Sequence, residues 1–259
     1  MSNVSFILIE PAGRPSNESQ TSLIKEWQLA FTQHLQPKDL ERFSFLESRL
    51  GQLKQAQVTF DCVVSPANSY GIMDGGLAIA LYLIPPSASY VNAPSSFDFY
   101  LSMAFSPPKD FHALTRLVQA AIRDRYYGFA PPGSCILVPG LPPNDFSCKV
   151  IAVCPTMRYP EELKWHKDIV YNTMWSLLVE LEIWNEKADD EEKKIKKVLM
   201  TGLGTGVGKI PSSVCAKQMA LAVKHFLYAR SEEGQKTWAE NDYLSWDKVL
   251  DLAEEVSKS

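Results

Sequence analysis

Short apolar runs of four to seven residues alternate along the chain with longer stretches of mixed character. In those stretches apolar residues recur at about every third or fourth position. The runs suit buried strands, and the stretches suit helices with one buried face. Val4–Ile9 predicts a strand, and Ser19–Leu35 predicts a helix with Leu23, Ile24, Trp27, Ala30 and Phe31 at helical spacing. Phe43–Leu46 and Cys62–Ser65 predict strands, the second stopped by Pro66. Leu77–Ile84 reads as the start of another helix, and Phe111–Tyr127 as a full one. Cys135–Pro139 and Val150–Cys154 predict strands. Trp165–Trp184 predicts a long amphipathic helix, with Val170, Met174, Leu177, Leu178 and Leu181 on one stripe. Val198–Thr201 is the last strand, followed by a helix over Pro211–Tyr228 with proline in its first turn. Trp246–Val256 predicts a terminal helix, with Ser245 placed to cap it.

Two segments interrupt this alternation. Pro85–Asp110 holds five prolines among serines and aromatics and reads as a long loop or insertion. Ala188–Lys197 is a mixed charge run, which suits a solvated loop or a helix extension. Strands alternating with helices of crossover length imply an α/β sheet covered on both faces, here across a single domain over residues 1–259 with those two insertions. Ligands of such sheets bind beyond the C-terminal ends of the strands.

Composition narrows the function classes. The 259 residues carry 30 acidic and 26 basic side chains, a net charge of −4, so the chain lacks the basic excess that grips a nucleic-acid backbone. The longest apolar run, Leu77–Ile84, is far short of a bilayer span, and residues 1–10 lack a secretory signal's basic start, so no membrane association is expected. Five cysteines without a C-x-x-C pair suggest reduced thiols and an intracellular protein, cytoplasmic or nuclear. Four scattered histidines give no metal-ligand spacing, and nothing calls for a cofactor.

Two loops carry candidate chemistry. The first runs from the Cys62–Ser65 strand through Pro66, Ala67 and Asn68 to Asp74, Gly75 and Gly76. Asn68 could bond a sugar hydroxyl through either end of its amide, and the paired glycines let backbone N–H groups approach a ligand. The second, from Thr201 to Pro211, has glycine at 202, 204, 206 and 208 and opens a helix. Free N–H groups at a helix start favour a phosphate or diphosphate, with Lys209 as an added charge. It is not a Walker A loop, because the required first glycine falls on Leu203 and the required Ser or Thr on Ile210. It is not the dinucleotide fingerprint either, since the third glycine falls on Val207 or Lys209.

Taken together, these loops resemble those of the macro domain, an α/β/α module that binds ADP-ribose. The first loop of that family runs from Asp through apolar residues to Asn and a glycine cluster, matched here by Asp61, Asn68, Gly75 and Gly76. The second is matched by Gly204, Thr205, Gly206 and Val207, with Pro211 opening the helix. Pro155–Arg158 and Cys215–Met219 also fit a divergent branch of the family, and the resemblance spans about residues 4–228.

The resemblance implies a three-layer α/β/α fold with a central mixed sheet. It implies a diphosphate wrapped by Gly204, Thr205, Gly206, Val207 and Gly208, and a distal ribose at Asn68, Gly75 and Gly76. Glu10 would meet the adenine amine. Hydrolytic members of one class carry an Asp two residues after the glycine pair, where this chain has Ala78. An aromatic that often packs on the distal ribose is replaced by Gly208, a space that Tyr70 or an aromatic of the insertion could refill. The implied partner is ADP-ribose or ADP-ribosylated protein. A reader of ADP-ribose is the first function implied. A hydrolase, deacylase or phosphatase acting on ADP-ribose derivatives is the second, with Asn68 on the ribose and Asp74 as base. A macro fold serving as an interaction module is the third.

Overall fold

The computed structural model describes residues 4–11, 21–75, 97–107, 109–164, 166–241 and 245–258. Six strands form one sheet: β1 (Ser5–Glu10), β2 (Phe43–Glu47), β3 (Cys62–Ser65), β4 (Ile136–Pro139), β5 (Val150–Val153) and β6 (Lys197–Met200), in the order β2-β1-β6-β3-β5-β4. All neighbours are parallel except β4, which pairs antiparallel with β5, so the sheet is mixed.

The alternation of side chains along each strand builds two cores. Phe6, Leu8, Cys62, Val64, Val198 and Met200 face one side. They meet α1 (Leu23–His34), α6 (Ile169–Lys187) and α7 (Ser212–Ala229) there, through residues such as Trp27, Leu177 and Met219. Ile9, Val63, Ile151 and Leu199 face the other side. They meet α3 (Leu50–Gln55), α4 (Phe97–Phe105) and α5 (Ala113–Tyr126) through residues such as Leu53, Leu101 and Val118. The result is three layers, α/β/α, because a central strand with two apolar faces must be covered twice. The short α2 (Pro37–Leu40) joins α1 to β2, while α8 (Glu232–Asn241) and α9 (Trp246–Ser257) follow α7.

Several boundaries differ from the expectations. Within the described part of Pro85–Asp110, residues 97–105 form α4 instead of a loop, because Leu101 and Phe105 one turn apart find the core beside β3. The helix placed over Ser19–Leu35 starts at Leu23, where the Glu10 carboxylate accepts its first amides. The helix placed over Trp165–Trp184 starts at Ile169 and runs to Lys187, and just ahead of it Lys167 O accepts from Gln218 Nε2 of α7 at 2.6 Å. Pro211 is the residue before the first turn of α7 and not within it. Ser245 does precede α9, but its side chain makes no capping bond. Leu77–Ile84 lies outside the described residues.

The charged run 188–196 is a loop leading into β6. All five cysteines are free and buried. Among the described residues no helix is long and apolar enough to cross a membrane.

Candidate functional site

Five parallel strands end together, so Glu10, Glu47, Ser65, Val153 and Met200 mark one edge of the sheet. The antiparallel β4 brings its first residue, Ile136, to the same edge beside Val153. The loops leaving β3, β5 and β6 and the loop entering β4 therefore form one rim.

The glycine loop is folded on itself by two backbone bonds, Ile210 N–H to Gly204 O and Lys209 N–H to Gly206 O, both 3.1 Å. Gly204 adopts φ +68°, a left-handed conformation that favours glycine. A Cβ on Gly208 would lie 2.5 Å from Gly204 O and 2.7 Å from Leu163 Cδ1, so only glycine fits there. Gly206 is different: nothing lies within 4 Å of a Cβ built on it. Gly206 and Val207 are exposed, and Thr205 beneath them is buried. The N–H groups of Gly206, Val207 and Gly208 donate to no backbone carbonyl among the described residues. Lys209 forms an ion pair with Glu162, which holds that carboxyl below the usual range, so its charge is already engaged.

Asn68 is largely committed to its own loop. Its Oδ1 accepts the N–H of Tyr70 (3.1 Å) and of Ile72 (3.3 Å), and its Nδ2 donates to Ile72 O (2.8 Å). Three of the four bonds an amide side chain can make are thus internal. Asp74 is buried, at 5% exposure, and Gly75 beside it is partly buried. Gly76 and Ala78 lie outside the described residues.

Glu10 is 6% exposed and stands at the start of α1. Its carboxylate accepts the N–H of Leu23 and of Ile24, both at 3.1 Å, and the hydroxyl of Ser22 at 2.9 Å. It caps the helix from outside, where the partial positive charge of the helix start favours an anion. Among the described residues, one lone-pair direction of Oε1 is left for another donor.

Residues 155–164 form a strap across the rim. Asn68 bridges to Met157, Ser69 N–H donates to Met157 O (2.9 Å), and Leu163 N–H donates to Gly208 O (3.0 Å). The strap thus joins the Asn68 loop to the glycine loop. At its middle the Arg158 guanidinium lies over the ring of Phe129, 5.0 Å from the centroid, and Tyr70 packs edge-on against the same ring at 5.7 Å.

The sequence did not point to Ser65 and Asp98. Ser65 Oγ donates to Asp98 Oδ1 at 2.6 Å, at the end of β3. Burial pushes the Asp98 carboxyl up to about 6, opposed by the Ser65 hydrogen bond and helped by the charge of Asp74. The available signal was Phe97, Leu101 and Phe105 at helical spacing, outweighed by the surrounding prolines and serines. Burial pushes the Cys148 thiol up to about 12 and raises Cys62 and Cys135 well above the ordinary range, so these three are poor nucleophiles. No group of three or more His, Cys, Asp or Glu that could hold a metal ion occurs among the described residues.

No protein-family model matches the chain, and no curated protein matches its sequence. Solved structures of similar fold include the Oceanobacillus iheyensis macrodomain in three forms. A mutant with ADPR shares 15% identity over 66% of this chain and 74% of that chain, at a TM-score of 0.41. The form with ADP shares 12% over 64% and 70%, also at 0.41. The form with MES bound shares 14% over 70% and 82%, again at 0.41.

Proposed function

We propose that this chain binds ADP-ribose, or an ADP-ribose derivative, across the rim at the C-terminal ends of its parallel strands. The observation that carries this reading is the run of amides from Gly206 to Gly208, which donate to no backbone carbonyl among the described residues, the first two of them on exposed residues, in the loop that leads into α7. Such amides, together with the positive end of a helix, suit a diphosphate. In this reading Gly204, Thr205, Gly206, Val207 and Gly208 hold the diphosphate. Asn68, Gly75 and Gly76 hold the distal ribose. The remaining lone pair of Glu10 takes the adenine amine, on the far side of the glycine loop from Asn68.

The test is calorimetric titration with ADP-ribose, using AMP and NAD as comparators. Selective micromolar binding by the natural chain is expected, with Gly206→Glu abolishing it. Position 206 has open space around it, so the glutamate leaves the fold intact while placing bulk and negative charge in the diphosphate site. Equal affinity in that variant removes the loop from the site.

One observation favours a second reading, hydrolysis of an ADP-ribose derivative. The buried Asp74 precedes Gly75 in the chain, and Asp98 is near enough to feel its charge, with burial pushing the Asp98 carboxyl up to about 6. A carboxyl of that kind suits proton transfer at neutral pH. Asp74→Ala is then expected to lose turnover with binding retained, and unchanged turnover dismisses Asp74 as the base.

A further inference from the structure

Arg42, Arg116, Arg123, Arg125 and Arg230 each pair with a carboxylate, whereas Arg158, on the strap across the rim, makes no ion pair and no side-chain hydrogen bond among the described residues. Its guanidinium lies over the ring of Phe129, 5.0 Å from the centroid. This cation–π contact holds the group in place, and its N–H donors have no acceptor atom among the described residues.

The surroundings are held by two backbone bonds and one side-chain bond. Ser69 N–H reaches Arg158 O (3.3 Å), Ala130 N–H donates to Ser69 O (3.0 Å), and the side chain of Gln119 on α5 donates through Nε2 to Tyr70 O (3.1 Å). Tyr70, at 43% exposure, follows Asn68 by two residues, and Tyr159, at 56%, follows Arg158. The patch is aromatic, cationic and open, the composition of a surface that takes a polypeptide rather than of a closed small-molecule pocket. A cleft of about 500 Å³ lies elsewhere, where α6 and the charged loop after it meet Arg125 and Leu137.

We propose that Arg158, held over Phe129 beside Tyr70, reads an acidic residue next to the modification on an ADP-ribosylated protein. The inference rests on the ADP-ribose reading above, which puts Asn68 at the distal ribose, the end of the ligand that carries an acceptor. A peptide leaving that ribose would pass directly over Tyr70 and Arg158. A carboxylate on it would complete the fork of the guanidinium with paired hydrogen bonds.

The experiment compares three ligands by titration: free ADP-ribose, an ADP-ribosylated peptide with Asp or Glu beside the modified residue, and the same peptide with Asn or Gln there. The natural chain is expected to bind the acidic peptide about tenfold more tightly than either other ligand, the equivalent of one good charge-assisted contact. Arg158→Ala is expected to remove that advantage while affinity for free ADP-ribose stays within about twofold, and Arg158→Lys to restore part of it. Equal affinity of the natural chain for both peptides overturns the inference, as does an Arg158→Ala variant that weakens free ADP-ribose to the same degree. Both outcomes leave the ADP-ribose reading standing. No binding of free ADP-ribose by the natural chain overturns both at once.

Discussion

The hydroxyl of Ser65, the last residue of β3, donates to the carboxylate of Asp98, in the first turn of α4, at 2.6 Å. One turn further on, Ser102 Oγ donates to Met73 O, also at 2.6 Å, so the same helix is fastened to both the strand and the loop that leaves it. The fastening places an acidic side chain at the rim beside Asp74, and it makes the rim sensitive to pH.

The carboxyl of Asp98 sits at about 6 in the folded chain, against an ordinary value of 3.8. Its folded value is raised, so between these two values the folded state holds the proton more tightly than the unfolded state. Stability therefore falls as pH rises through this window, by roughly 3 kcal/mol for about two pH units. Asp98→Asn keeps an acceptor for Ser65 and carries no charge. It is expected to match the natural chain near pH 4 and to be more stable at pH 7. Denaturant midpoints at the two pH values check this, and parallel curves for the two proteins would refute it.

Glu10 joins the end of β1 to the start of α1. Glu10→Ala leaves the first two amides of that helix without their acceptor and is expected to cost about 1–2 kcal/mol. A lower urea midpoint with an unchanged slope is the expected reading, with Glu10→Gln falling between the two.

The glycine loop divides into positions that matter for folding and positions that do not. Gly208→Ala drives a methyl group onto Gly204 O and is expected to destabilise the fold by about 1–3 kcal/mol. Gly206→Ala meets open space and is expected to stay within about 0.5 kcal/mol of the natural chain. Thermal melting of the two variants side by side separates them.

The last helix, α9, is clasped to α7 by Glu255, which accepts from Lys224 (2.5 Å) and faces His225 Nε2 (2.9 Å). His225 Nδ1 in turn contacts the Tyr171 hydroxyl at 3.0 Å. Val256 is the one buried residue of α9 among those described, so little apolar packing supports the clasp. Glu255→Ala is expected to expose residues 246–258 to limited proteolysis several-fold faster, with the midpoint of the main unfolding transition nearly unchanged.

The strands and the two-sided sheet were legible because buried strands need apolar residues on both faces. Runs such as Cys62–Ser65 and Val150–Val153 carry that demand locally. The glycine loop was legible for a similar reason: glycine at 204 and 208 answers to a conformation and a close approach that other residues do not tolerate. Helix starts were less legible, since that of α1 depends on Glu10, a residue 13 positions earlier than Leu23.

By itself the sequence determined which segments must be buried, and that glycines and an amide would meet at one edge of a sheet. Only the tertiary structure decided how those groups are engaged: Asn68 braces its own loop, Lys209 pairs with Glu162, and Glu10 caps α1. It also decided that a helix rich in aromatics brings Asp98 to Ser65, and that Arg158 lies over Phe129 without a counter-ion among the described residues. The physical reason is one of range. Backbone conformation and burial preference act over a few residues and are written in local pattern, whereas hydrogen-bond partners and charge environments depend on segments that only the folded chain brings together.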